Sequence, residues 1–98
     1  MADTTFSAQA VTRGQQCGIP QWIARLLLEE GERAPAARGL LLVYFSTRAR
    51  RRVCRRAKRG EFPIGKLDHA WGSYLVVTRR APQVVSIGHL GRRRIRRR

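Results

Sequence analysis

A dense basic segment in the middle of the chain, residues 48–59, constrains the fold most. It contains eight cationic side chains and only four apolar ones. Ala49, Val53 and Ala57 recur at every fourth position, so they line one face of a helix. That narrow stripe of small side chains is the surface with which the segment can pack. The spacing therefore predicts an amphipathic helix, begun by Ser46 or Thr47 and ended by Gly60.

The opposite arc of this helix is expected to present six cations to solvent with no acid between them. These are Arg48, Arg51, Arg52, Arg55, Lys58 and Arg59. Like charges at i, i+4 destabilise a helix by a few tenths of a kcal/mol per pair, a cost that packing or a bound polyanion can offset. We interpret the arc as a contact surface for a phosphate backbone. The alternative is a solvated basic face without a specific ligand.

The charge balance of the whole chain supports an anionic partner. In 98 residues, 21 Lys and Arg stand against 6 Asp and Glu, a formal net charge of +15. Such a surface attracts polyanions. A second basic cluster closes the sequence and is expected to act as a nucleic-acid arm. Its members are Arg92, Arg93, Arg94, Arg96, Arg97 and Arg98.

Turn residues divide the first third of the chain into two helices. Ser7 can begin a helix over residues 8–17, which Gly18 ends. A second helix is expected over residues 20–30, where apolar side chains recur at helical spacing until Gly31.

Three segments have the composition of strands. Residues 40–45 form a continuous apolar run, and residues 72–78 and 83–88 form two β-rich runs joined by a short turn. Residues 32–39 are expected to be a connector, since Pro35 argues against a central strand. The predicted fold is therefore α+β: a small, mostly antiparallel sheet of about three strands, two N-terminal helices and the central basic helix.

The length allows one domain. We expect a flexible N-terminus over residues 1–5, a single α+β domain over residues 6–91, and the Arg-rich tail over residues 92–98. The longest apolar run is far too short to span a bilayer, and the two cysteines predict reduced thiols rather than a disulfide framework. These features favour a cytoplasmic protein without membrane contact.

Candidate catalytic groups are few. His89 follows Gly88 at the end of the last predicted strand, and arginines follow it. Its imidazole suits acid–base chemistry near neutral pH. Cys17 and Cys54 have no histidine at ligand spacing, and the acids form no convincing two-metal site, so we expect no metal and no cofactor.

Several short segments together resemble a family of small, mostly proteobacterial proteins of unknown function, the DUF4258-like group. They are residues 6–10, 15–20, 27–31, 43–45, 48–53, 67–68, 74–77 and 84–89, with Arg93 and Arg94. The family opening reads Ser-x-His-Ala and continues to Arg-Gly-Ile-Pro, whereas this chain has Gln9 and Cys17 at the His and Arg positions. The family's shape is similar to that of RelE-type and BrnT-type toxins. This likeness implies a comparable small α+β fold, and endonuclease activity only by analogy.

These observations lead to one main functional expectation and two alternatives. The main expectation is a protein with no or only residual enzymatic activity that binds RNA or DNA without sequence preference, RNA being favoured, through phosphate contacts of the central helix and the tail. The first alternative is a metal-independent, toxin-like endoribonuclease that uses His89. The second is a basic protein that binds an acidic protein.

Overall fold

The computed structural model describes residues 5–80 and 83–89 and confirms the α+β class. Its elements are β1 (Thr5–Phe6), α1 (Ala8–Gln16), α2 (Gln21–Glu30), β2 (Glu32–Pro35), β3 (Leu40–Tyr44), α3 (Thr47–Lys58), a short 3-10 helix (Ile64–Leu67), β4 (Ser73–Thr78) and β5 (Gln83–His89). The three expected helices are present, within one or two residues of the predicted bounds.

The prediction of a mostly antiparallel sheet of about three strands is wrong. The sheet has five strands in the order β1-β5-β4-β3-β2. It is mixed, because β1 runs parallel to β5 while the other neighbours are antiparallel. The missed strand β2 includes Pro35, which lies opposite Leu41 at the edge of the sheet. An edge strand tolerates proline because its outward side needs no ladder hydrogen bond.

Local signals at the ends of the helices are confirmed. The hydroxyl oxygen of Ser7 accepts a hydrogen bond from the Ala10 N–H at 3.0 Å, and Ser46 accepts one from the Ala49 N–H at 3.1 Å. Each cap satisfies a donor that the first helical turn leaves unpaired. Gly18 ends the turn after α1 with a φ of 69°, a left-handed conformation that glycine adopts without strain.

Helices cover one face of the sheet, and the core lies between them. Alternate strand residues supply its sheet side, including Val43, Leu75 and Ile87, all at most 3% exposed. From α2, Ile23 and Leu27 join the same buried cluster. The core is therefore a single layer between the helices and one face of the sheet. The strand residues that alternate with the buried ones point away from the helices.

Some expectations lie outside the described residues. They concern the N-terminal segment, of which only Thr5 is described, and the Arg-rich tail over residues 92–98. Within residues 5–80 and 83–89, every helix is too short or too polar to cross a bilayer.

Candidate nucleic-acid interface

Helix α3 is docked by the small side chains that the sequence indicated. Ala49 and Val53 are fully buried, and Ala57 packs half-buried against the core. Because these side chains are short, the helix lies close to its neighbours and its long cationic side chains project away from the core.

The six cations predicted to form one acid-free arc divide into two groups. Four are exposed and make no ion pair with any residue in the described part of the chain: Arg48, Arg51, Arg55 and Lys58. They follow one another at spacings of three or four residues, so they form a single line along the helix. We call these four residues the α3 stripe.

The other two predicted cations have acidic partners, so the expectation of an acid-free arc is wrong for them. Arg52 donates from Nε to the Glu30 carboxylate at 2.9 Å and from Nη2 to the Glu30 carbonyl at 2.8 Å. Arg59 donates to Glu61 at 3.0 Å. Arg52 is held by two hydrogen bonds, whereas the exposed Arg59 pair contributes little and can exchange for another anion.

Arg56 ties α3 to its acidic flank. Its guanidinium donates to Glu29 at 2.8 Å, to Glu30 at 3.2 Å and to Glu61 at 2.9 Å. The hydrogen bonds to Glu29 and Glu61 raise the pKa of Arg56 above its ordinary value. Those from Arg56 and then Arg59 lower the pKa of Glu61, so this carboxylate stays ionised at neutral pH.

One side of α3 thus carries the acidic residues that its arginines bind. Three of the six acids in the sequence, Glu29, Glu30 and Glu61, bind arginines of that flank. Their negative charge neutralises Arg52 and Arg56 and leaves the α3 stripe uncompensated. The arrangement produces a helix with one neutralised edge and one cationic edge.

On the remaining flank, Arg50 lies over an aromatic pair. Its guanidinium carbon is 5.0 Å from the centre of the Trp71 ring, and Trp71 meets Phe45 edge-on at 5.3 Å. This cation–π contact fixes Arg50 beside the core. Arg50 is exposed like the α3 stripe, but it lies on another flank of the helix and its guanidinium contacts an aromatic ring.

Sequence reasoning missed the position of Tyr44. The continuous apolar run over residues 40–45 shows no alternation, so it gives no sign that this side chain faces away from the core. In the structure Tyr44 is half-buried and lines a groove of about 520 Å³ with Glu32, Ser46, Thr47, Arg48 and Arg51. An aromatic side chain thus borders the first two cations of the α3 stripe.

His89 ends β5 as predicted, and it lines a separate groove of about 350 Å³. Lys66, His69 and Cys17 also line it, and no α3 residue of the described chain does. The His89 Nε2 lies 2.7 Å from the His69 carbonyl oxygen. A carbonyl only accepts, so Nε2 carries a proton and donates it.

The predicted tail cations, Arg92, Arg93, Arg94, Arg96, Arg97 and Arg98, lie outside the described residues. In the described part, no group of three His, Cys, Asp or Glu side chains has the arrangement of a metal site. Comparisons with protein-family models, curated proteins and solved structures found no match to this chain. The resemblance to the family of unknown function therefore stays a prediction.

Proposed function

We propose that this protein binds RNA or DNA without sequence preference, RNA being favoured, through phosphate contacts made by the α3 stripe. The observation that supports the proposal most directly is the line of four exposed cations with no acidic partner in the described chain. Repulsion between neighbours such as Arg51 and Arg55 disfavours the helix in the free protein. A bound polyanion relieves that repulsion, so binding and helix stability support each other.

The length of the stripe suits a phosphate backbone. Arg48 and Lys58 are ten positions apart, which corresponds to about 15 Å along a helix axis. Successive phosphates of one strand in a B-form duplex advance by about 3.4 Å, so about four such steps, or roughly four to five phosphates, span this distance. Four cations thus face about as many anions. Arginine adds bidentate geometry at three of the four positions.

Salt dependence tests this proposal. If the α3 stripe neutralises about four phosphates, log affinity for single-stranded RNA should fall against log salt concentration with a slope of about −3 or steeper. Any phosphates contacted by the tail steepen it further. Fluorescence anisotropy of a labelled oligonucleotide over a KCl series measures the slope. A slope near zero would contradict phosphate binding.

The same proposal places the protein in the cytoplasm, where such a partner is present. Both described cysteines are free thiols, as a reducing compartment requires.

An acidic protein could present carboxylates to the same stripe. RNA and the acidic protein would then compete for the stripe, and their relative affinities, measured by competition at one salt concentration, distinguish the two partners.

The groove around His89 supports endoribonuclease activity as the second candidate. It brings His89 together with Lys66, whose ammonium could stabilise a phosphate. Acid–base catalysis by a histidine typically accounts for 10²–10⁴-fold in rate, so its loss is readily measured.

We expect the protein to leave RNA intact with or without a chelator, and His89→Ala to change RNA affinity by less than about twofold. RNA integrity on a denaturing gel and anisotropy measure the two effects. His69→Ala is the matched control, because it removes the other imidazole of the groove but keeps the carbonyl that His89 contacts. Chelator-resistant cleavage that His89→Ala abolishes and His69→Ala leaves would replace the binding proposal with the nuclease.

A further inference from the structure

The face of the sheet that points away from the helical core is only half-buried by the described residues. Along β4, Ser73, Leu75 and Val77 are buried, while Tyr74, Val76 and Thr78 alternate with them and are not. On β3, Val43 is buried while Leu42 and Tyr44 beside it are not, and on β5, Ile87 is buried while Ser86 is not. We call the central residues of this face the open face: Leu42, Tyr44, Tyr74, Val76 and Ser86. Leu42 and Val76 are apolar, yet neither belongs to the core or packs against it.

Two tyrosines form the aromatic part of the open face. Tyr44 and Tyr74 are directly opposite in the antiparallel register of β3 and β4. Residues so paired have Cβ atoms about 4.5–5.5 Å apart, so the two side chains start from neighbouring points of the sheet. A methyl group at Gly88 would overlap the hydroxyl end of Tyr74. The glycine thus lets this ring lie across β5 instead of standing away from the sheet.

The open face adjoins the α3 stripe at Tyr44. The groove of about 520 Å³ already described is lined by Tyr44 from the open face and by Arg48 and Arg51 from the stripe. Glu32, which lies opposite Tyr44 on β2, accepts a hydrogen bond from the Ser46 hydroxyl at 2.8 Å in the same groove. One aromatic ring, two cations and a carboxylate are thereby combined at one rim.

We propose that the open face stacks the bases of single-stranded RNA whose phosphates lie on Arg48 and Arg51. This inference rests on the proposed function and specifies its substrate class. Stacking on aromatic rings is tolerant of sequence, which suits a protein without a base-reading motif. A duplex cannot use this surface, because its bases are stacked inside the helix. The Glu32 carboxylate repels phosphate, so it favours the backbone on the Arg48 and Arg51 side.

Charge argues for this occupant over a second copy of the chain. The open face lies next to the α3 stripe, so a dimer through it would bring two cationic edges together. Each chain carries a formal net charge of +15, and that repulsion opposes self-association. A polyanion instead gains from the same charge.

Binding of three labelled ligands tests the inference: a single-stranded RNA of about 12 nucleotides, an abasic strand of equal length and a duplex. For the variant combining Tyr44→Leu and Tyr74→Leu, we expect single-strand affinity at least about tenfold lower. Affinity for the abasic strand and the duplex should change by less than about twofold, since these ligands offer phosphates without accessible bases. The matched control combines Tyr44→Phe and Tyr74→Phe, which keeps the rings and should bind as the unmodified protein does.

The outcomes separate this inference from the proposed function. If the protein binds no ligand, or binds all three with no salt dependence, the phosphate proposal fails and the stacking proposal fails with it. If salt-dependent binding persists but the leucine variant binds single strands as tightly as the phenylalanine control, only the stacking proposal is wrong. A dimer that RNA cannot dissociate, seen by sedimentation, would also overturn it.

A crosslinking measurement keeps the inference testable if the leucine variant does not fold. RNA containing 5-iodouridine is irradiated with the unmodified protein, and the linked residue is identified by mass spectrometry. Linkage to Tyr44 or Tyr74 is the expected result. Linkage confined to Trp22 or Phe62, which line a groove with α2 and α3 residues, would overturn the inference.

Discussion

Arg51→Glu combined with Arg55→Glu is expected to lower RNA affinity by at least about 100-fold at about 50 mM salt. Both side chains are exposed, and neither has an acidic partner in the described chain, so the loss reflects RNA contacts. Each lost hydrogen bond to a charged group is worth about 1.5–3 kcal/mol, and each new carboxylate adds repulsion. Fluorescence anisotropy across a KCl series measures both the affinity and its slope, which should become shallower by about two.

The matched control combines Arg13→Glu with Arg38→Glu. These exposed arginines lie on α1 and in the turn between β2 and β3, and the control changes the net charge by the same amount. We expect it to weaken binding by less than about tenfold, since only the long-range field is altered. Equal losses in the two variants would show that net charge alone attracts RNA and that the α3 stripe is not the contact surface.

The helices could be predicted because their signals are local. Ser7 and Ser46 are a few residues from the amides they cap, and Gly18 and Gly60 adopt left-handed φ angles directly after their helices. The burial of Ala49 and Val53 follows from their spacing alone. Each of these inferences needs only one helix and its ends.

The missed strands depend on partners that are distant in the sequence. Residues Thr5–Phe6 become a strand by pairing with β5, some 78 positions away. Residues Glu32–Pro35 have the composition of a turn, yet they pair along β3 because the chain reverses over residues 36–39, where Gly39 has a left-handed φ. Tertiary pairing overrides a weak local preference in both cases.

The same limit applies to the interface. A helical wheel places Arg52 with Arg48 and Arg55, but it cannot show that Glu30, 22 positions earlier, takes the Arg52 side chain. Nor does the continuous apolar run over β3 reveal that Tyr44 faces away from the core. The orientation of Tyr44 follows from its partner on β4. Tyr74 lies opposite Tyr44 and alternates with the buried Ser73 and Leu75, so both tyrosines lie on the face away from the core.

The fold that presents this interface depends on a small core, so Leu27→Ala should lower the free energy of unfolding by about 2–5 kcal/mol. Leu27 is fully buried between α2 and the sheet, and its truncation leaves a cavity that a thin core cannot close. A domain of this size has a stability of only about 5–15 kcal/mol, so the loss is a large fraction of the total.

Leu28→Ala is the control for that substitution, because the neighbouring leucine undergoes the same chemical change on the same helix but is only partly buried. Urea unfolding followed by circular dichroism should show a large fall in midpoint at constant m-value for Leu27→Ala and a clearly smaller one for Leu28→Ala. A larger effect at Leu28 would mean that α2 packs in another register. The acids Glu29 and Glu30 would then no longer face Arg52 and Arg56, and the uncompensated α3 stripe would lose its structural basis.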